Sequence, residues 1–202
     1  ARDVEERGGV VSKAAVLVID MVRDFTDMEH GKVANAGAAA LVPVVRDFVA
    51  EARARGALLI WVIDAHRPGK PDWELENVRA HCEDETIGVE LAEGLIPQPQ
   101  DYVFKKRRYS AFVGTDLDLI LRDNHIDTLV LCGTKTNVCI RATAQDGFSR
   151  NYHVIVPREC VATDKAHLHE ANLEDISKYL GKVMSADEAL ARLAELAPSD
   201  AS

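Results

Sequence analysis

The feature that most constrains this chain is a set of short, continuous apolar runs, each ending next to a residue able to do chemistry. Ala14 to Asp20 reads AAVLVID, Ala57 to Ile63 reads ALLIWVI and is followed by Asp64, and Thr128 to Cys132 reads TLVLC. A strand with one face in water alternates polar and apolar residues, whereas a strand buried on both faces reads as an unbroken apolar run. Between the runs the apolar spacing becomes helical. Leu41, Val44, Val45, Phe48 and Val49 mark the inner stripe of a helix from about Ala38 to Arg55, with Pro43 early in it and Gly56 at its end. Thr115 to Asn124 predicts a second helix capped by Thr115, and Ile140 onward a third. Tyr102 to Lys105, Tyr152 to Val156 and Lys182 to Met184 read as further strands. Lys165 to Tyr179 and Ala186 to about Leu196 read as helices, the latter capped by Ser185. Strands alternating with helices in this order predict an α/β fold, with a mostly parallel sheet covered on both faces. The irregular stretch from Asp64 to about Gln100 is too long for a plain connection and is expected to serve a site or an interface.

Composition removes several classes of function. The 202 residues hold 24 basic against 33 acidic side chains, a net charge of -9, and the basic cluster KKRR at Lys105 to Arg108 is the longest of its kind. Nucleic acid and anionic membrane surfaces are therefore poor partners. No stretch approaches the roughly 20 apolar residues of a membrane span, and the charged start ARDVEERGG lacks a signal-peptide core, so a cytoplasmic location is expected. Cys82, Cys132, Cys139 and Cys160 form no C-x-x-C pair, and reduced thiols are expected.

In open α/β sheets the ligand crevice lies beyond the carboxyl ends of the strands. Asp20, Asp64, the Lys105/Lys106 pair and Cys139 all stand at or just past such ends. Each has a plain reading alone: an acid caps the next turn, and a lone cysteine fills a core. Together they supply a base, a cation and a nucleophile. Cys139 also opens a helix, whose first-turn N–H groups favour thiolate over thiol.

Three blocks carry a resemblance. VLVIDMVRDF at Val16 to Phe25, KKRRYSAF at Lys105 to Phe112, and CGTKTNVCIRATAQDGFSRNYHVIV at Cys132 to Val156 resemble, in order, the signatures of the isochorismatase-like cysteine hydrolases. The resemblance runs from about residue 13 to residue 195 and implies one domain over residues 1–202. It further implies a three-layer αβα sandwich around a six-stranded, mostly parallel sheet. By position, Asp20 matches the family base, Lys106 the catalytic lysine, with Lys105 one residue away, and Cys139 the nucleophile. The backbone N–H groups of Lys135 and Cys139 match the oxyanion hole, next to a cis peptide between Thr134 and Lys135. The implied activity is amidohydrolysis of a small amide, ureido or N-carbamoyl substrate through a thioester, most similar to ureidoacrylate and N-carbamoyl amidohydrolases. No cofactor is required for that chemistry, and a homo-oligomer, dimer or tetramer, is the implied assembly.

Asp64, His66 and His81 followed by Cys82 are similar to the pattern with which nicotinamidases of this family hold zinc, so Asp64, His66 and His81 are candidate ligands for zinc or a related divalent ion. The bland reading is a set of loop-ordering hydrogen bonds. Phe25, Trp73, Tyr109, Phe112 and Lys135 are candidates to line a substrate pocket, Lys135 by meeting a substrate carboxylate. Arg107 and Arg108 are expected to bind neighbouring subunits or surface acids, and His167 and His169 a subunit contact. Two alternatives stand beside the amidohydrolase reading: a nicotinamidase-like, metal-assisted amidase, and a non-catalytic α/β small-ligand binding module.

Overall fold

The run AAVLVI forms strand β1, Ala14–Ile19, buried along its whole length. The computed structural model describes residues 13–196. After β1 come the single turn α1 (Arg23–Thr26), α2 (Ala36–Ala54), β2 (Leu58–Asp64), β3 (Tyr102–Lys106), α3 (Leu117–Asp123) and β4 (Thr128–Thr134). A π-helical turn, Thr136–Ile140, leads into α4 (Arg141–Ser149), followed by β5 (His153–Pro157), β6 (Val161–Ala162), α5 (Ala166–Tyr179), β7 (Lys182–Met184) and α6 (Ala186–Leu196).

The strands lie in the order β3-β2-β1-β4-β5-β7, and every pairing is parallel. The six expected strands make this ladder. A seventh, β6, adds two residues beside Gly133 and Thr134 of β4. Two residues are too few to show a hydrophobic period, so the sequence carries no sign of β6.

Period-two geometry sends the strand residues to two cores. Ala15, Leu17 and Ile19 pack with Leu129 and Leu131 against Leu117, Leu121, Ala144 and Ile176 from α3, α4 and α5. Val16 and Val18 pack with Trp61 and Val130 against Leu41, Val45, Phe48, Ala189 and Leu193 from α2 and α6. Burial on both faces explains the unbroken apolar runs. Trp61 is the largest fully buried side chain, and its indole N–H donates to Asp101 at 2.9 Å.

Element ends differ from expectation for local reasons. Asn35 accepts a hydrogen bond from the Ala38 N–H at 2.9 Å, which starts α2 at Ala36, two residues before the expected Ala38. Pro43 therefore lies in the third turn, where its missing N–H leaves the Ala39 carbonyl without its helical donor. Val44, expected on the inner stripe, faces outward. The Thr115 hydroxyl accepts from the Leu117 N–H, so the side chain caps α3 from two residues before its start.

The strand order reverses between β1 and β4, whose neighbours run off in opposite directions. A crevice is expected beyond that pair of carboxyl ends. There the backbones come very close: Gly133 holds φ +119, and a Cβ on it would collide with the Ile19 carbonyl oxygen. The segment 65–101 folds over the same end of the sheet. The buried Asp24 carboxylate ties it down by accepting from the Cys82 N–H at 2.6 Å and the Lys32 N–H at 3.0 Å. His66 N–H donates to Cys82 O at 2.7 Å and Asp84 N–H to His66 O at 2.8 Å, which draws His66 and His81 together.

Candidate active site

Three strand ends and one turn deliver the chemistry. Asp20 follows β1 in a left-handed conformation, φ +56, with its N–H donating to Val62 O at 2.9 Å. Lys106 ends β3, opposite Asp64 of β2 in the parallel register. Its ammonium reaches across β2 to lie 2.9 Å from Asp20 Oδ2 and 3.5 Å from Asp64 Oδ1. It also donates to Cys139 Sγ at 3.6 Å. Lys106 is the buried lysine of the pair: Lys105, one residue earlier on the pleat, points out and pairs with Asp84 at 2.6 Å.

Cys139 is the fourth residue of the π-helical turn. The Lys135 carbonyl accepts from the Val138 N–H at 3.0 Å and the Ile140 N–H at 3.2 Å, and the Thr134–Lys135 peptide is cis. Two side-chain bonds hold the turn from outside. His169 Nδ1 lies 2.9 Å from the Thr136 hydroxyl, and the Thr163 hydroxyl donates to Asn137 Oδ1 at 2.6 Å. His169, expected to face another subunit, is therefore bonded inside the chain.

The electrostatics separate the two carboxylates. Burial pushes Asp20 up to about 6, although Lys106 and the Cys139 thiol pull the other way. Burial also works against ionised Asp64, but Lys106, His66 and His81 outweigh it and hold Asp64 well below the usual carboxylate range. Lys106 is likewise opposed by burial, yet Asp20, the Cys139 sulfur and Asp64 keep it an ammonium. Cys139 corrects the expectation of a thiolate. Burial, with Asp20 and Asp64 adding to it, lifts the thiol well above its ordinary value despite Lys106. The group at rest is a thiol beside a carboxylate able to accept its proton. Asp20 Oδ1 has no hydrogen-bond partner among the described residues.

A second cluster adjoins the first through Asp64. His66 Nε2 lies 3.5 Å from Asp64 Oδ1, and His81 Nε2 lies 3.3 Å from Asp64 Oδ2. Glu74 Oε1 lies 3.8 Å from His66 Nε2, a neighbour that no sequence signal marked because Glu74 sits in a three-residue turn within an irregular segment. The outer ring nitrogens are held from behind, His66 Nδ1 by Asp72 Oδ2 at 3.0 Å and His81 Nδ1 by the Arg79 carbonyl at 2.7 Å. Asp72 is itself gripped by Arg108 at 2.7 Å, so the acid that Arg108 meets is a buried one of its own chain and not the surface acid expected. Asp64 Oδ1, His66 Nε2 and Glu74 Oε2 are buried without a hydrogen bond among the described residues. Inward Nε2 atoms backed by fixed Nδ1 partners, 3.3 to 3.8 Å from buried carboxylate oxygens, fit a divalent cation beside Asp64. Asp64, His66 and Glu74 can present one donor atom each within 4.8 Å of one another, and so can Asp64, His81 and Cys82. With no ion, burial depresses His66 but Asp64 and Asp72 outweigh it and raise it to about 9, so a metal would displace a proton.

The expected pocket residues fall in different settings. Phe25 is buried, with its ring edge-on to His81 at 5.3 Å. Tyr109 is 38% exposed, and burial together with the fields of Glu74 and Cys139 raises its phenol. Trp73 is 72% exposed. Phe112 is a correction: its ring stacks on Tyr152 at 5.9 Å, lies beneath the Arg150 guanidinium and is 7% exposed, so it packs the core and leaves no face for a ligand. The Lys135 ammonium is partly exposed, and its nearest carboxylate, Asp164, is 3.9 Å away.

Residues 14–188 match the isochorismatase domain family. The chain belongs to the isochorismatase family of hydrolases. It is 36% identical over 172 residues to a probable inactive nicotinamidase of Arabidopsis thaliana, covering 80% of this chain and 87% of that protein. It is 30% identical over 216 residues to a ureidoacrylate amidohydrolase of Azorhizobium caulinodans, covering 94% of each. The crystal structure of an isochorismatase-like hydrolase from Alkaliphilus metalliredigens superposes with a TM-score of 0.84 at 35% identity, over 90% of this chain and 99% of that one. A pyrazinamidase of Pyrococcus horikoshii, solved in complex with zinc, superposes with a TM-score of 0.78 at 28% identity, over 86% of this chain and 99% of that one. Family membership accounts for the parallel sheet flanked by helices. No helix among the described residues is long and apolar enough to cross a membrane.

Proposed function

We propose that this chain is a cysteine-dependent amidohydrolase that cleaves a C–N bond of a small amide, ureido or N-carbamoyl substrate, with Asp20, Lys106 and Cys139 as its catalytic residues. The observation that carries this reading is one buried ammonium between two carboxylates of opposite tendency, in contact with a thiol. Carboxyl groups whose surroundings drive their pKa values apart divide the labour. Asp64 stays ionised as the permanent partner of Lys106, and Asp20 is left free to take and return a proton.

In the first step Asp20 accepts the Cys139 proton as Sγ attacks the substrate carbonyl carbon. Lys106 stabilises the negative charge as it moves from carboxylate to sulfur. The Lys135 and Cys139 backbone N–H groups receive the oxyanion. Asp20 then protonates the leaving nitrogen, the C–N bond breaks, and ammonia or an amine departs from the acyl-thioester. Water, deprotonated by Asp20, attacks that thioester, and Asp20 returns the proton to sulfur as the C–S bond breaks and the acid departs.

This scheme makes ionised Asp20 essential in the free enzyme. Its pKa of about 6 places the acid limb of kcat/KM near pH 6, activity falling as pH drops through it and Asp20 takes up its proton. A pH–rate profile from 4 to 9 checks this; an acid limb below about 4, where an ordinary carboxylate titrates, contradicts it.

For the substrate class, Lys135 supports a carboxylate-bearing amide or ureido acid. It follows the cis bond beside the nucleophile turn, and its ammonium is only weakly engaged. Lys135→Met is expected to raise KM for ureido acids about tenfold more than for uncharged amides. Equal effects on both would remove the assignment.

The second cluster favours a related reading, a metal-assisted amidase of the nicotinamidase type. Asp64, His66 and His81 would hold zinc, with Glu74 in reach, and a bound ion would supply Lewis-acid polarisation of a substrate heteroatom or water. Protein equilibrated with zinc and then dialysed is expected to retain about one ion per chain by elemental analysis, and His81→Ala to lose it. A wild-type stoichiometry near zero excludes the site.

A further inference from the structure

Beyond the edge of the sheet lies a pocket of about 420 Å³ whose wall includes Arg67, Lys105, Arg107 and Arg108, with Asp84 as its acid; neither Asp20, Lys106 nor Cys139 lines it. Its composition follows from the strand ends. β3 is an edge strand, so the alternation that turns Lys106 inward turns Lys105 outward, and Arg107 and Arg108 follow directly. Arg67 arrives from the neighbouring end of β2, three residues past Asp64.

The charge there opposes that of the whole chain. Four cations against one carboxylate surround this concavity in a protein of net charge -9. Two are already committed, Lys105 to Asp84 at 2.6 Å and Arg108 to Asp72 at 2.7 Å. Arg67 and Arg107 have no ion-pair partner among the described residues. Cations crowded into one hollow repel one another, and an anion seated among them relieves that repulsion. Guanidinium groups present planar forks of N–H donors that match the oxygens of a phosphate or carboxylate.

We propose that this pocket binds a small, multiply charged oxyanion, gripped by Arg67 and Arg107, with Arg108 and Lys105 completing the cradle. A phosphate group and a compact dicarboxylate share that chemistry. Both suit the donors, and the volume suits a small molecule.

The test is titration calorimetry of the full chain with inorganic phosphate and, separately, with malonate, at ionic strength held constant with sodium chloride. Saturable binding of either at about one site per chain is expected, weakened at least about tenfold in Arg67→Ala/Arg107→Ala, two changes on the protein surface that leave the melting temperature in place. Phosphate binding alone identifies a phosphoryl ligand, and malonate binding alone a dicarboxylate. Heat that never saturates, or that is the same in the double variant, overturns the proposal in favour of an ion atmosphere. Absence of binding together with a lower mass in light scattering for the double variant overturns it in favour of an interface between copies of this chain. The readout does not depend on hydrolysis, so the pocket stands or falls independently of the proposed activity.

Discussion

Cys139→Ser is expected to lower turnover by about 10⁴-fold or more while leaving the melting temperature within a few degrees of the wild type. The serine hydroxyl occupies nearly the same volume and can still hydrogen-bond to Asp20 and Lys106, so neither a cavity nor an orphaned buried group results. The chemistry fails for a different reason. Asp20, at about 6, is a weak base. It can take the proton of a thiol, lifted though that thiol is by burial, because sulfur in the attacking state is steadied by Lys106 at 3.6 Å. An alcohol is a far weaker acid and would require a much stronger base. Ammonia release from a panel of ureido acids, nicotinamide and simple amides, measured for both proteins, checks this. A serine variant within tenfold of the wild type would remove Cys139 as the nucleophile. A wild type as silent as the variant on every substrate would favour the small-ligand binding module instead.

The parts of this site legible in the sequence are those with a local signal. Asp20 and Asp64 stand at the ends of unbroken apolar runs, and Cys139 follows Gly133, a residue forced by close backbone approach to Ile19. The central strands β1, β2, β4 and β5 were legible for the same reason, since burial on both faces leaves an unmistakable composition, whereas the outer strands β3 and β7 are mostly exposed or half-buried and showed only as short runs. What was not legible depends on long-range placement. Composition cannot say which of two adjacent lysines faces inward; the pleat decides it, once register with β2 is known. Glu74 and Asp72 reach His66 only because a long irregular segment folds back over the sheet. The thiol state of Cys139 is hidden from the sequence by the same cause. A helix mouth favours a thiolate by a fraction of a charge, but complete burial beside two carboxylates acts the other way and is stronger.

Lys106→Met is expected to abolish turnover and also to destabilise the fold by about 3–5 kcal/mol, the usual effect of removing one member of a buried ion pair. For a chain of this length that is a fall in melting temperature on the order of 10 °C. The size follows from what is left behind. Lys106 is the cation between Asp20 and Asp64, both fully buried, and a methionine of similar length fills the space without compensating either charge. The loss has a pH signature that a packing defect lacks. Asp20 already titrates near 6, and Lys106 is the strongest influence holding it down, so the variant's Asp20 takes up its proton at higher pH still. A carboxyl whose folded pKa is raised favours the fold less as pH rises through that value. The gap in melting temperature between variant and wild type should therefore be wider at pH 8 than at pH 5. Lys105→Met is the control: its side chain is 52% exposed, and its pair with Asp84 is a surface ion pair worth at most about 1 kcal/mol. Thermal denaturation of both variants at the two pH values, beside an activity assay, separates the lysines. An active Lys106→Met protein, or a destabilisation independent of pH, would overturn the role given to Lys106.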